Sequence, residues 1–211
     1  MTTGLDEPTI ALVGLAGAIA LGKEGELRQR IAVAQSAEVP HRWVDELLLQ
    51  SVLMVGWPRA LVAAGLWRAL VETAAEGGDL DRESDAAPEW RRRGEATCRV
   101  IYGDNYAKLR RNVAALHPAL DEWMITEGYG RTLSRPGLDL KRRELCTVAQ
   151  TAVLDTPHQL HSHLRGALHA GATADDVEAV IHLVNPLMPH DDWNDVKALW
   201  DTVREVWSQS P

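Results

Sequence analysis

Residues 145–195 read LCTVAQTAVLDTPHQLHSHLRGALHAGATADDVEAVIHLVNPLMPHDDWND, and residues 12–62 read LVGLAGAIALGKEGELRQRIAVAQSAEVPHRWVDELLLQSVLMVGWPRALV. The first stretch lies over the second at a constant shift of 133 without a gap. Leu12 meets Leu145, Ala16 meets Ala149, Leu21 meets Leu154, Leu27 meets Leu160, Ala34 meets Ala167 and Val44 meets Val177. Helix breaks, apolar core positions and cap positions coincide together, which a shared Ala/Leu-rich composition does not produce. The chain therefore reads as all-α, with one three-helix unit present twice plus connecting helices.

Helical periodicity continues outward from both copies, and no alternating strand pattern is found. In the first half, Thr9 is placed to cap a helix that Gly22 stops. Further helices begin near Glu24, at Pro40 and at Trp57-Pro58. GGDLDRESDAAP, residues 77–88, carries two glycines, a proline and many charges, and reads as a linker. The expected division is a first unit over 1–76 and a second over 89–211. In the second, helices are expected near 89–101, 104–116, 118–128, 139–154, 157–170, 173–185 and 190–207.

Composition excludes several classes of function. A net charge of −8 leaves no footprint for nucleic acid, and Arg91-Arg92-Arg93 sits between Glu89 and Glu95. Cys98 and Cys146 form neither a CxxC nor a metal spacing, which fits a reducing, cytoplasmic setting. The apolar run from Ile10 to Leu21 is too short to span a bilayer. MTTGLDEPTI has no basic leader character, so neither export nor membrane attachment is expected. Six histidines fall between 158 and 190, but no HxxxH or HExxH spacing supports a metal site. No glycine-rich phosphate loop appears, so no cofactor is expected.

Two polar residues interrupt the inner faces of the second unit. His163 lies in the stripe Leu160, Leu164, Ala167, and Glu144 lies at the edge of the face Leu145, Val148, Ala149, Ala152. A carboxylate and an imidazole on neighbouring helices can form an acid–base pair, the carboxylate fixing the imidazole tautomer. The same two residues also fit a core histidine satisfied by a helix-edge glutamate.

SRPGLDLKRRELCTVA (134–149) and QLHSHLRGALHAGAT (159–173) resemble the body of carboxymuconolactone decarboxylase-type proteins. VDELLLQSVLMVGWPRALVAA (44–64) resembles the family's usual C-terminal stretch, a helix followed by a Gly-aromatic-Pro turn. The resemblance implies an alkylhydroperoxidase D-like helical bundle, with Glu144 and His163 as the functional pair. Each half keeps what the other lacks: Ala11 and Arg30 stand at the Glu and His positions of the first unit, and the second has no Gly-aromatic-Pro turn. One composite site per chain follows, closed by Trp57. Arg131 or Arg165 is the candidate holder of a substrate carboxylate, although either also fits a surface position.

The peroxidase relatives carry two cysteines where this chain has Thr156 and Gln159, so their disulfide cycle has no thiolate here. Cys146 reads as a core residue. The resemblance thus implies a cofactor-free decarboxylase or isomerase acting on a small carboxylated ring or lactone. Its rivals are a thiol peroxidase using Cys146 and a ligand-binding helical protein without catalysis. Family members assemble as hexamers of single units or trimers of double units, which implies a homo-oligomer here, a trimer or a dimer.

Overall fold

Asp6 stands in extended backbone and its carboxylate accepts the Thr9 N–H at 3.0 Å. Helix α1 (Glu7–Leu21) therefore begins at Asp6, and Thr9 is its third residue instead of its cap. Asp139 does the same for α7 (Leu140–Val153), accepting the Arg142 N–H at 3.0 Å. Such a cap contributes about 1 kcal/mol. Asp6 and Asp139 are repeat mates, as are Thr9 and Arg142.

The computed structural model describes residues 4–72 and 86–209. Among the described residues every regular element is helical and no strand occurs. After α1 come α2 (Glu24–Ser36), α3 (His41–Val71), α4 (Ala86–Tyr102), α5 (Tyr106–Leu116) and α6 (Pro118–Trp123). A π-helical stretch, Met124–Leu133, leads to α7, α8 (Pro157–His169), α9 (Ala174–Val184) and α10 (His190–Ser208). Most of the expected 77–88 linker lies outside the described residues. Its last three residues belong to α4, where Pro88 sits in the first turn and its missing N–H costs nothing.

The repeat is visible in the backbone. Helices α1, α2 and α3 start 133 residues before α7, α8 and α9. Gly22 (φ 74°) and its mate Asp155 (φ 50°) are both left-handed, as are Glu38 (φ 52°) and Gly171 (φ 94°). A side chain in that region costs roughly 1–2 kcal/mol, so the turn geometry has outlasted the glycine at one mate of each pair. Val39 N–H reaches Ala34 O at 3.0 Å, and Ala172 N–H reaches Ala167 O at 2.9 Å. The non-helical Gly56 (φ 70°, ψ 171°) divides α3 where the second unit breaks at Pro189, so the far half of α3 corresponds to α10.

Helices α1 and α7 pack against each other at the centre. Nearly every residue of α1 from Thr9 to Ala20 is buried, and α7 is buried from Arg143 through Ala152. Arg142 Nε also donates to the hydroxyl of its own mate Thr9 at 2.7 Å. Contact between mates places them near a twofold relation between the units. One hydrophobic core, including Leu12, Ile31, Leu47, Leu145, Leu164, Ile181 and Trp200, runs through both units. By length and composition α3 could cross a membrane, but Gly56 cuts it into pieces shorter than the roughly 20 residues a span needs.

A second, small core gathers Cys98, Ile101, Tyr106, Ile125, Tyr129 and Leu133 between α4 and the π-helical stretch. The periodicity reading ended a helix near 128; the chain instead continues with π geometry to Leu133, keeping Ile125, Tyr129 and Leu133 on one buried side. Two glycines allow the crossing. A Cβ on Gly94 would lie 2.0 Å from Ile125 O, and one on Gly130 would lie 2.0 Å from Trp90 O. Gly94→Ala is expected to lower unfolding stability by about 2 kcal/mol or more. Gly65→Ala in α3, where an added Cβ meets nothing within 4 Å, is expected to raise it by up to about 1 kcal/mol. Urea unfolding of both variants checks the contrast.

Candidate active site

Glu144 is the fifth residue of α7 and has no solvent exposure; His163, midway along α8, retains 7%. His163 Nδ1 and Glu144 Oε2 are 2.9 Å apart. With the carboxylate ionised, Nδ1–H donates to it and Nε2 carries the lone pair. Glu144 Oε1 has no hydrogen-bond partner among the described residues. Leaving a buried carboxylate oxygen unsatisfied costs on the order of 1–3 kcal/mol, so the arrangement is held by its surroundings.

Gly166, one turn beyond His163, makes room for the carboxylate. A Cβ there would lie 2.5 Å from Glu144 Oε2 and 2.7 Å from Ile101 Cγ2. The end of α4 thus presses against the pair, and His169 Nδ1–H anchors it by donating to Ile101 O at 2.7 Å. Tyr102 and Tyr129 complete this wall, their hydroxyls 3.3 Å apart and their rings edge to face. Burial, with the Glu144 charge adding to it, pushes Tyr102 up to about 12. Burial likewise raises Tyr129 well above the usual phenol range. Both phenols stay protonated at neutral pH, and in their mutual bond one hydroxyl donates while the other accepts.

Behind Glu144, the adjacent residue Arg143 is fully buried. Its Nη2 donates to Glu46 Oε2 of α3 at 2.8 Å and to Arg135 O at 3.0 Å, and its Nε donates to Leu138 O at 3.1 Å. Gln50 Nε2 returns a bond to Arg143 O at 2.9 Å and one to the Thr147 hydroxyl at 3.1 Å. Arg135 adds a second cation to Glu46 at 3.1 Å. Burial holds Arg143 below its ordinary value, with Glu46 acting in the opposite direction. The first unit thus supports the site through Glu46 and Gln50.

Two cavities flank α8. One, of about 160 Å³, lies between α8 and the α4–α5 corner, with Tyr102, Lys108, His161 and Arg165 in its lining. The other, of about 370 Å³, is more apolar and lies between the start of α8 and the middle of α10, where Thr156 and Leu160 line it. His163 lines neither, but its neighbour Ser162 lines the smaller cavity, as do Ile101 and Tyr102 of the wall around the pair. His161 is held below its ordinary value by burial, with the Arg165 and His158 charges adding to the effect.

Of the residues expected at the site, Glu144 and His163 come together and Arg165 lines the adjacent cavity. Arg131 does not join them: it lies over the Trp90 ring at 4.9 Å and pairs with Glu127 at 3.2 Å. Trp57 is 66% exposed at the Gly56 kink and lines neither cavity, because the kink turns the indole outward. Cys98 and Cys146 are both free and fully buried, each pushed up to about 12 by burial. Neither supplies a thiolate at neutral pH.

Glu46→Gln removes the countercharge of a buried guanidinium and is expected to cost about 3–5 kcal/mol in urea unfolding. Replacing both partners, Glu46→Leu with Arg143→Met, is expected to recover much of that loss. A loss below about 1 kcal/mol for the single change would show that the pair is not the clamp between the halves.

No individual curated protein matches the chain. The sequence pattern of the Carboxymuconolactone decarboxylase family matches residues 1–69 and 118–187, one segment in each half. The two segments hold α1 to α3 and α7 to α9, with Glu144 and His163 in the second. The chain belongs to the carboxymuconolactone decarboxylase family, in duplicated form.

Proposed function

We propose that the protein is a cofactor-free decarboxylase or isomerase acting on a small carboxylated ring or lactone, with Glu144 and His163 as its acid–base pair. The observation that carries this reading is the buried 2.9 Å contact between them, in which one carboxylate oxygen fixes the imidazole and the other remains unpaired. In a decarboxylation the C–C bond to the carboxylate breaks and CO2 leaves. The electron pair moves into the conjugated lactone carbonyl, and His163, having first taken a proton from solvent on Nε2, passes that proton to the carbon and returns to neutral. Glu144 stabilises that imidazolium and orients it. The peroxidase reading loses support because both thiols are buried and held protonated.

The same proposal covers the assembly. Leu49 and Leu53 before the Gly56 kink, and Trp57 and Leu61 after it, are all exposed, apolar surface of the kind that subunit contacts bury. A homo-oligomer, trimer or dimer, accounts for it, and a cytoplasmic setting accounts for the two unpaired cysteines. The partner of the site is a small molecule, with no nucleic acid or membrane involved.

Turnover is tested with carboxymuconolactone as the first substrate. His163→Ala is expected to lower kcat by roughly 10²–10⁴-fold with KM closer to normal. Glu144→Gln keeps the shape, so it is expected to lower the rate and also displace the pH–rate profile. Unchanged activity per folded molecule in both variants would reduce the pair to a core contact. A companion variant addresses the thiol: Cys146→Ser is expected to leave turnover intact with or without a thiol reductant, and loss of activity with folding unchanged would restore the peroxidase reading.

A further inference from the structure

The smaller cavity is built half from family and half from elsewhere. His161, Ser162, Arg165 and His169 come from α8, inside the family match. Tyr102, Asn105, Lys108, Leu109 and Asn112 come from the α4–α5 corner, within the residues 70–117 that the match leaves out. The chain carries a net charge of −8, yet this cavity is lined by Lys108 and Arg165 and by no carboxylate. Neither cation makes an ion pair among the described residues, although Arg91, Arg92, Arg110, Arg135, Arg142 and Arg143 all do. Two cations without ion pairs among the described residues line one small space, which is the chemistry an anion needs.

We propose that the α4–α5 segment is the specificity element of this enzyme: Lys108 and Arg165 hold the carboxylate of a small anionic ligand in the cavity, and Tyr102 positions that ligand against the Glu144–His163 side. The proposal rests on the reading of Glu144 and His163 as the reacting pair. Its own content is that residues outside the family pattern choose the ligand.

The geometry limits what enters. A space of about 160 Å³ is below the ~300–1,000 Å³ typical of pockets for drug-sized molecules, so the ligand is compact. Arg165 offers a planar fork suited to two carboxylate oxygens, while Lys108 adds a point charge from the opposite wall. Asn105, Asn112 and Ser162 supply neutral donors and acceptors for a hydroxyl or carbonyl. Tyr102, whose hydroxyl is already bonded to Tyr129, is the polar residue shared by the cavity lining and the wall around Glu144. It contacts the ligand on one side and is fixed from the other, so it acts as a positioning residue.

Calorimetry on the full chain tests this with succinate, its neutral analogue succinamide, and inorganic phosphate. Saturable succinate binding is expected, with succinamide binding at least about tenfold more weakly. Lys108→Gln and Arg165→Gln are each expected to weaken succinate roughly ten- to hundredfold, while Lys108→Arg retains it. In turnover, Lys108→Gln is expected to raise KM with kcat nearly kept, and Tyr102→Phe to lower kcat more than it raises KM. No saturable succinate binding up to about 10 mM, tighter binding of phosphate or succinamide, or affinity unmoved by both charge removals would overturn the proposal. His163→Ala is expected to bind succinate like the unaltered chain. Succinate binding that responds to Lys108 and Arg165, together with turnover indifferent to His163, would therefore sink the acid–base reading and leave the anion site standing.

Discussion

The buried guanidinium of Arg143 is the group around which the two halves are registered. A cation without solvent exposure is tolerable only if its charge and its donors are answered, and the partners come from several places. Glu46 and Gln50 belong to α3 of the first unit, and the carbonyls of Leu138 and Arg135 belong to the turn before α7. A shift of α7 along α3 by one residue would leave the cation facing apolar side chains. Such a pair adds little net stability, since desolvation offsets the attraction, but it penalises the wrong register by several kcal/mol. Glu144 follows Arg143 directly, about 100° further round the helix, so the same clamp aims its carboxylate at α8.

The clamp occurs once, although the fold is repeated. The mates of Arg143 and Glu46 are Ile10 and Ala179, and the mates of Glu144 and His163 are Ala11 and Arg30. Arg30 has its own partner nearby, Glu26 at 2.7 Å. On its central helix the first unit thus gives up the charges that the second keeps, and from α3 it supplies Glu46 in return. The connecting helices then complete the asymmetry. Helix α4 can approach Glu144 only because Gly166 lacks a Cβ, and it can cross the π-helical stretch only because Gly94 and Gly130 do too. Three missing side chains allow a third wall of Ile101, Tyr102 and Tyr129 to close over the carboxylate.

The parts of this arrangement that were legible in the sequence are those encoded locally or by repetition. Helix periodicity places the start of α2 and both ends of α8 within a residue of those observed, and the gapless shift finds the duplication, because apolar spacing and breaks recur on the scale of a turn. Glu144 and His163 were legible as polar interruptions of apolar faces. Asp6 was passed over for Thr9 because a cap is chosen by where the backbone turns extended, which composition leaves open between two suitable residues. The Glu46–Arg143 pair joins residues 97 apart, and Tyr102 meets Tyr129 across 27; no local pattern ties either together. Trp57 misled for a related reason. A Gly-aromatic-Pro turn announces a kink, and the kink is there, but the face its aromatic ring presents depends on tertiary packing.

A duplicated chain with one site also has an energetic logic. The Glu144–His163 pair is an expensive feature to bury, with one oxygen of the carboxylate lacking any partner among the described residues. An orphaned polar atom of this kind costs on the order of 1–3 kcal/mol, a sizeable part of the 5–15 kcal/mol that holds a domain folded. Two copies per chain would double the cost while the single insert α4–α5 could cover only one of them. With Ala11 in place of the carboxylate, the first unit packs its central helix tightly, from Thr9 to Ala20. That tight helix lies against α7 and helps immobilise the helix that carries Glu144. The first unit is thereby the rigid support that lets the second keep an unsatisfied carboxylate in place.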